Sequence, residues 1–269
     1  MKYEGWAIHT EQEIRVIAEA AGILSRLFGH LVPFLRPGIS TAELDQIAEE
    51  FIRREGAEPA FKDYQPPFED RKYPYTLCVS IDSEVVHGLP SPQRILQAGQ
   101  IVSVDCGVRL AGLHADMAYT FAIGAVPPSV QRLLWVTEQA LLRGIAQARA
   151  GAALGDIGHA IHSFVKNYTF AVADNLTGHG VGRAMHMPPD VPNTGQRGKG
   201  PRLPEGLVIA IEPMVHMGKR ATCKGIDGWV VCTRDGSLAA HYEHTVVVSR
   251  NAPRVLTSFE PIHKALAHV

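Results

Sequence analysis

Cysteine is scarce in this chain: four residues in 269, Cys78, Cys106, Cys223 and Cys232, at spacings that match no paired zinc-type motif. A disulfide framework is thereby excluded, and the four read as reduced, cytosolic cysteines. An excess of one charge is also missing, since 26 Lys and Arg face 27 Asp and Glu for a formal net charge of -1. That balance gives no general pull toward nucleic acid or a membrane surface. The basic stretch 197–202 reads as a solvated loop, with a ribosomal contact as a secondary expectation. No uninterrupted apolar run approaches the roughly 20 residues of a membrane span, and the opening Met-Lys-Tyr-Glu-Gly-Trp segment has no basic-then-apolar leader. The expected location is the cytoplasm. What the chain does have is core: 46% hydrophobic residues against 20% charged, enough for one large domain spanning 1–269 with nothing demanding a second.

Two capping boxes mark helix starts. Thr10 with Glu13 opens an amphipathic run to about His30, and Ser40 with Glu43 opens a second that ends near Gly56. In the second half Pro127 and Pro128 precede a helix to about Ala148, and Leu154 to Asn167 reads as a fourth. Strands follow each helix pair, so the order suggests a duplicated helix-helix-sheet unit with halves near 1–125 and 126–269 in an α+β fold.

Five potential metal ligands are spread through these strands. Asp105 lies in the β-branched run Ile101–Val108, whose alternation puts Ile101, Ser103, Asp105 and Gly107 on one face. Asp116 shares a face with His114, Ala118 and Thr120 in the next run, and Arg109–Gly112 reads as the hairpin connection. Adjacent strands thus bring two carboxylates together, where repulsion raises a pKa unless a cation lies between them. Glu212 interrupts the apolar segment Leu207–Val215, and Glu243 interrupts Tyr242–Val248. His179 sits on a glycine-rich turn, 177–183, whose small neighbours allow close approach to the imidazole. A lone Asp or Glu in a strand is more often a rim charge than a ligand, so the weight rests on the set. Four carboxylates and one imidazole suit hard to borderline ions such as Mn, Fe, Co or Zn, and can bridge and cap two of them.

The stretches Glu84–Pro90, Val104–Gly107, His114–Asp116, Thr177–Gly182, Ala210–Met214 and Tyr242–Thr245 together resemble the methionine aminopeptidases of the M24 metallopeptidases, in their short bacterial type I form. The resemblance runs from about Ile8 to Leu256. It implies the pseudo-twofold "pita-bread" (creatinase/aminopeptidase) fold, an antiparallel curved sheet covered by two helix pairs. It also implies a hydrolase that removes the initiator methionine from nascent polypeptides when the second residue is small, using a water that bridges two divalent ions. Asp105, Asp116, His179, Glu212 and Glu243 carry over as metal ligands, with Asp116 and Glu243 bridging and Glu212 doubling as acid and base. His87 and His186 carry over as catalytic histidines that contact the scissile amide. Phe61, Tyr64, Tyr73, Cys78, Met185 and Trp229, together with His87 and His186, carry over as substrate-binding residues. The expected partners are nascent N-termini, with no membrane and no direct nucleic-acid role, and the expected state is a monomer.

The chain departs from the family pattern at several points. Gln65–Lys72, rich in proline and charge, reads as an inserted surface loop near the pocket mouth. Met187-Pro-Pro-Asp190 replaces the glutamates usual after His186, and Met185 stands where an aromatic is common. Asp82 and Ala239 occupy positions where some members place the Asn and Ser of a monovalent-cation site, which puts such a site in doubt here. Relatives that cut before proline carry a long extra N-terminal domain, for which too few residues precede Glu84.

Overall fold

The computed structural model describes residues 5–66 and 69–268. Pro67 and Phe68, within the expected inserted loop, lie outside the described residues, as do Met1 to Glu4 of the expected leaderless segment. Among the described residues the α-helices are Glu11–Leu31 (α1), Thr41–Arg54 (α2), Pro128–Ile145 (α3), Leu154–Val165 (α4) and Glu260–Leu266 (α5). Both capping boxes close as expected, Thr10 with Glu13 and Ser40 with Glu43. Burial of Ile14, Ile17, Ala21, Leu24, Phe28 and Leu31 on α1 follows the three-and-four spacing of one helix face. By length and composition alone, the stretch 11–34 passes as a membrane span. Its apolar face is instead packed on the strands and on α5, as in the core helix of a globular fold. The seven-residue α5 is not foreseen from the sequence, because it is too short to display a periodicity.

The first half supplies strands Glu58–Pro59 (β1), Cys78–Ile81 (β2), Glu84–Val86 (β3), Ile101–Leu110 (β4) and Leu113–Ala122 (β5). The second half supplies Ala171–Val172 (β6), Thr177–Gly180 (β7), Met187–Pro192 (β8), Val208–Ile211 (β9), Met214–His216 (β10), Thr222–Lys224 (β11), Val231–Thr233 (β12), Ala239–His241 (β13), His244–Val247 (β14) and Arg254–Val255 (β15). They pair antiparallel in four small sheets. One of these, β11–β12–β3, joins strands from both halves. The helix pairs α1/α2 and α3/α4 each pack together.

Two sequence expectations about strands need correction. The β4–β5 connection is tighter than Arg109–Gly112: Arg109 pairs with His114 and Leu110 with Leu113, leaving Ala111 and Gly112 as a two-residue turn. Both turn residues have positive φ, 48° and 80°, the backbone that matches the strand twist in such hairpins. Leu207–Val215 and Tyr242–Val248 are not single strands either. Each breaks at its glutamate: β9 passes to β10 through Glu212 and Pro213, and β13 passes to β14 through Tyr242 and Glu243. Pro213 has no N–H to give to a ladder, so the chain leaves one sheet and enters another there. The partners break in step, with β9 paired to β14 and β10 to β13.

Candidate metal centre

In the β4–β5 ladder Asp105 lies opposite Ala118, and Gly107 opposite Asp116. Opposed residues share a face, so the two aspartates are diagonal neighbours on one face of the hairpin. On the other side of β4, Cys78 is the direct partner of Asp105. Glu243 is delivered from the second half, its N–H bonded to the Ala118 carbonyl at 2.9 Å. His179 stands on β7, a strand paired with β8 and β9 rather than the turn expected. Its flanking glycines are needed because the neighbouring strands of the same sheet press close: a Cβ on Gly178 would lie 2.3 Å from the Ala210 carbonyl oxygen of β9, and one on Gly180 would lie 2.4 Å from that of Pro188 on β8.

Ligand atoms of Asp116, His179 and Glu243 fall within 4.8 Å of one another. His179 Nε2 is 3.7 Å from Asp116 Oδ2 and 3.5 Å from Glu212 Oε1. Asp105 joins the set through its hydrogen bond and charge interaction with Asp116. All five expected donors are thus brought together. Burial pushes the Asp105, Glu212 and Glu243 carboxyls well up, and their charged neighbours push them further. Burial takes Asp116 up to about 7. The His179 imidazole moves the other way, to about 4, because burial disfavours its cation. Asp105 Oδ1 and Glu243 Oε1 are buried with no hydrogen-bond partner among the described residues. Buried acceptors left unpaired are costly, and a divalent cation among them removes the deficit. The donor set therefore fits divalent metal.

His87 follows β3 with a φ of 61°, and burial holds its imidazole down at about 4. His186 Nδ1 and the Tyr64 hydroxyl are hydrogen-bonded at 3.0 Å. His186 also stacks on the Tyr64 ring at 5.4 Å and lies 4.3 Å, ring to ring, from His179. Both histidines line a cavity of about 660 Å³ that opens over the carboxylates. Phe61, Tyr64, Tyr73, Cys78 and Trp229 line it as expected. Tyr73 meets Trp229 edge to face at 5.1 Å. Its hydroxyl donates away from the cavity, to the carbonyls of Leu77 and Gly88 at 2.9 and 3.0 Å. Met185 is not a wall. It is buried, and a Cβ on Gly107 would lie 2.9 Å from its sulfur and from the Phe61 ring.

The segment 65–72, expected as an inserted loop, reaches the site. Pro66 and Glu69 line the cavity, Glu69 pairs with Lys224 at 2.9 Å, and Arg71 covers the Trp229 ring at 5.2 Å. Asp82 gives one carboxylate oxygen to Ile101 N–H at 3.0 Å and the other to Gln100 at 3.2 Å. Three supporting residues were missed in the sequence. His241 Nε2 lies 3.4 Å from Glu212 Oε2, Asn193 donates to the Glu212 carbonyl at 2.9 Å, and Thr245 bonds the Asp116 backbone. For His241 and Thr245 the only signal is their place within two residues of Glu243; for Asn193 there is none.

A buried constellation of carboxylates and one imidazole, supplied by paired antiparallel elements at the floor of an aromatic cavity, defines a metallopeptidase centre. The profile of metallopeptidase family M24 matches residues 15–250. The chain is 42% identical over 253 residues to "Methionine aminopeptidase" of Clostridium acetobutylicum, covering 94% of this chain and 99% of that one. The crystal structure of methionine aminopeptidase from Rickettsia prowazekii superposes with a TM-score of 0.90 at 34% identity, covering 94% of this chain and all of that one (100%). The Xaa-Pro dipeptidase of Bacillus anthracis shares the fold, with a TM-score of 0.73 at 22% identity and 62% of its length covered. The chain belongs to metallopeptidase family M24 and, within it, to the methionine aminopeptidases.

Proposed function

We propose that this protein removes the N-terminal initiator methionine from nascent polypeptides whose second residue is small. It does so as a monomer in the cytoplasm, with Asp105, Asp116, His179, Glu212 and Glu243 holding two divalent ions. The observation that supports this reading best is the convergence of Asp116, His179 and Glu243 within 4.8 Å at the floor of the cavity, with Glu212 3.5 Å from His179. Ions of the Mn, Fe, Co or Zn type held there supply water activation and carbonyl polarisation. The protein groups do the rest. Glu212, as the carboxylate, takes the proton of the attacking water and returns it to the leaving amine. His186 acts in the tautomer that carries its proton on Nε2, with Nδ1 accepting from the Tyr64 hydroxyl 3.0 Å away, so that Nε2–H steadies the charge developing on the scissile amide. His87 acts on the same amide. The unbranched, polarizable methionine side chain suits walls of Phe61, Tyr64, Tyr73, Cys78 and Trp229.

The test is release of methionine from Met-Ala-Ser and Met-Lys-Ser by chelated protein resupplied with Mn, Co, Fe or Zn. Cleavage of Met-Ala-Ser alone, dependent on metal and abolished in Glu212→Ala, is the expected result. A folded protein that cuts neither peptide under any metal would sink the reading.

A further inference from the structure

The β11–β12 hairpin places Cys223 directly opposite Cys232. Arg234 N–H donates to the Ala221 carbonyl at 2.9 Å, and Gly225 N–H to that of Val230 at 2.7 Å. Antiparallel bonds alternate every two residues, so 223 and 232 form a hydrogen-bonded pair. The Cα atoms of such a pair lie about 5.5 Å apart, within the range that disulfides span. Their Cβ atoms stand somewhat farther apart than a relaxed disulfide prefers. Cys223 is exposed and Cys232 partly exposed, whereas Cys78 and Cys106 are buried. The other face of this hairpin presents Lys224 and Val231 to the cavity, and its loop adds Trp229.

We infer that Cys223 and Cys232 form a reversible cross-strand disulfide that couples the redox state of the surrounding thiol pool to the shape of the cavity wall. The oxidant is a low-molecular-weight disulfide. The exposed Cys223, as thiolate, attacks one of its sulfurs and releases the first small thiol. Cys232 then loses its proton, attacks the Cys223 sulfur of the mixed disulfide and releases the second. Two protein thiols and one small disulfide thus become one protein disulfide and two small thiols, and excess small thiol reverses the exchange. Burial, then the neighbouring Glu84, pushes the Cys232 thiol up, which leaves the first attack to Cys223. A strained, exposed disulfide is more easily reduced than a structural one, which is the property a reversible link needs. Closing it draws β11 and β12 together behind Lys224, Trp229 and Val231. That effect on the cavity rests on the peptidase reading above; formation of the link does not.

The experiment incubates the full, metal-loaded protein in mixtures of oxidised and reduced glutathione, quenches with acid, alkylates remaining thiols in denaturant and maps the peptides by mass spectrometry. The expected product is a single 223–232 cross-link, lost on adding dithiothreitol, with Cys78 and Cys106 alkylated throughout. Cys232→Ser should stop at the glutathione adduct of Cys223. The KM for Met-Ala-Ser should differ between oxidised and reduced wild type by about two-fold or more, and not in Cys223→Ser. Persistence of both free thiols in oxidised glutathione, a lasting adduct in the wild type, or pairing between two chains would overturn the site. A complete cross-link with unchanged KM would overturn the coupling to the cavity. Reduced wild type that cleaves no peptide would count against the peptidase reading alone, since the cross-link is scored by mass.

Discussion

Thr245 Oγ1 accepts the Asp116 N–H at 2.9 Å and donates to the Asp116 carbonyl at 2.8 Å, so one hydroxyl satisfies both backbone groups of a metal-ligand candidate 129 residues away. The bond ties β5 of the first half to β14 of the second, beside Glu243. Both backbone groups are buried, and valine keeps the shape of threonine while removing the hydroxyl. Thr245→Val should therefore cost about 1–3 kcal/mol of unfolding free energy, read as a lower urea midpoint. An unchanged midpoint would show that the two halves are held together elsewhere.

Removing metal should make stability depend on pH with a definite sign. Burial raises the folded-state pKa of Asp116 to about 7 and holds those of Asp105, Glu212 and Glu243 well up. Such carboxyls stay protonated in the folded chain after they ionise in the unfolded one, so stability falls as pH rises. The buried histidines oppose this: His87 and His179 are held near 4, and His241 and His244 near 3. Their contribution is present above the unfolded value of about 6.5 and is lost below it. Above pH 6.5, then, only the carboxyls act. Chelated protein should lose urea resistance from about pH 6.5 upward, and adding Mn should flatten the slope by keeping the carboxylates ionised. A metal-free protein that gained stability over that interval would contradict the assigned cluster.

His241 Nε2 faces Glu212 Oε2 at 3.4 Å without closing a hydrogen bond, and is placed to steady that carboxylate. His241→Ala should weaken Mn binding about 10- to 100-fold by titration calorimetry and lower kcat more than it changes KM. His241→Gln, which keeps a donor, should recover much of both. Equal Mn affinity in the alanine variant would leave His241 as packing only.

Gly107 lies opposite Asp116 where Phe61 and Met185 come within 2.9 Å of any added Cβ. Gly107→Ala should push the Phe61 ring into the cavity. The expected result is a KM for Met-Ala-Ser raised about ten-fold, with Mn affinity little changed. A fall in Mn affinity as large as the rise in KM would mean that β4 itself had moved.

The five donors were legible as a set: carboxylates inside apolar runs draw notice, and all five fall in stretches that resemble one family. Alternation puts Asp105 and Asp116 each on a strand face, and the register makes it the same face. The helix starts at Thr10 and Ser40 were equally readable, since a capping box is a local bond pattern. The breaks at Glu212 and Glu243 were not, because a run of apolar residues reads alike whether the chain stays in one sheet or steps into a second. Met185 misled for a related reason: its type fits a methionine pocket, but only packing shows that it is buried against Gly107 and does not line the cavity.

The chain by itself determined which residues could hold a cation, where most helices begin and which surfaces are apolar, because each follows from residue type and short-range periodicity. Tertiary structure alone decided that His241 meets Glu212, that Thr245 grips Asp116 and that Cys223 faces Cys232. Those contacts depend on strand register and on how the two halves close, which are set by the packing of distant segments rather than by any local pattern.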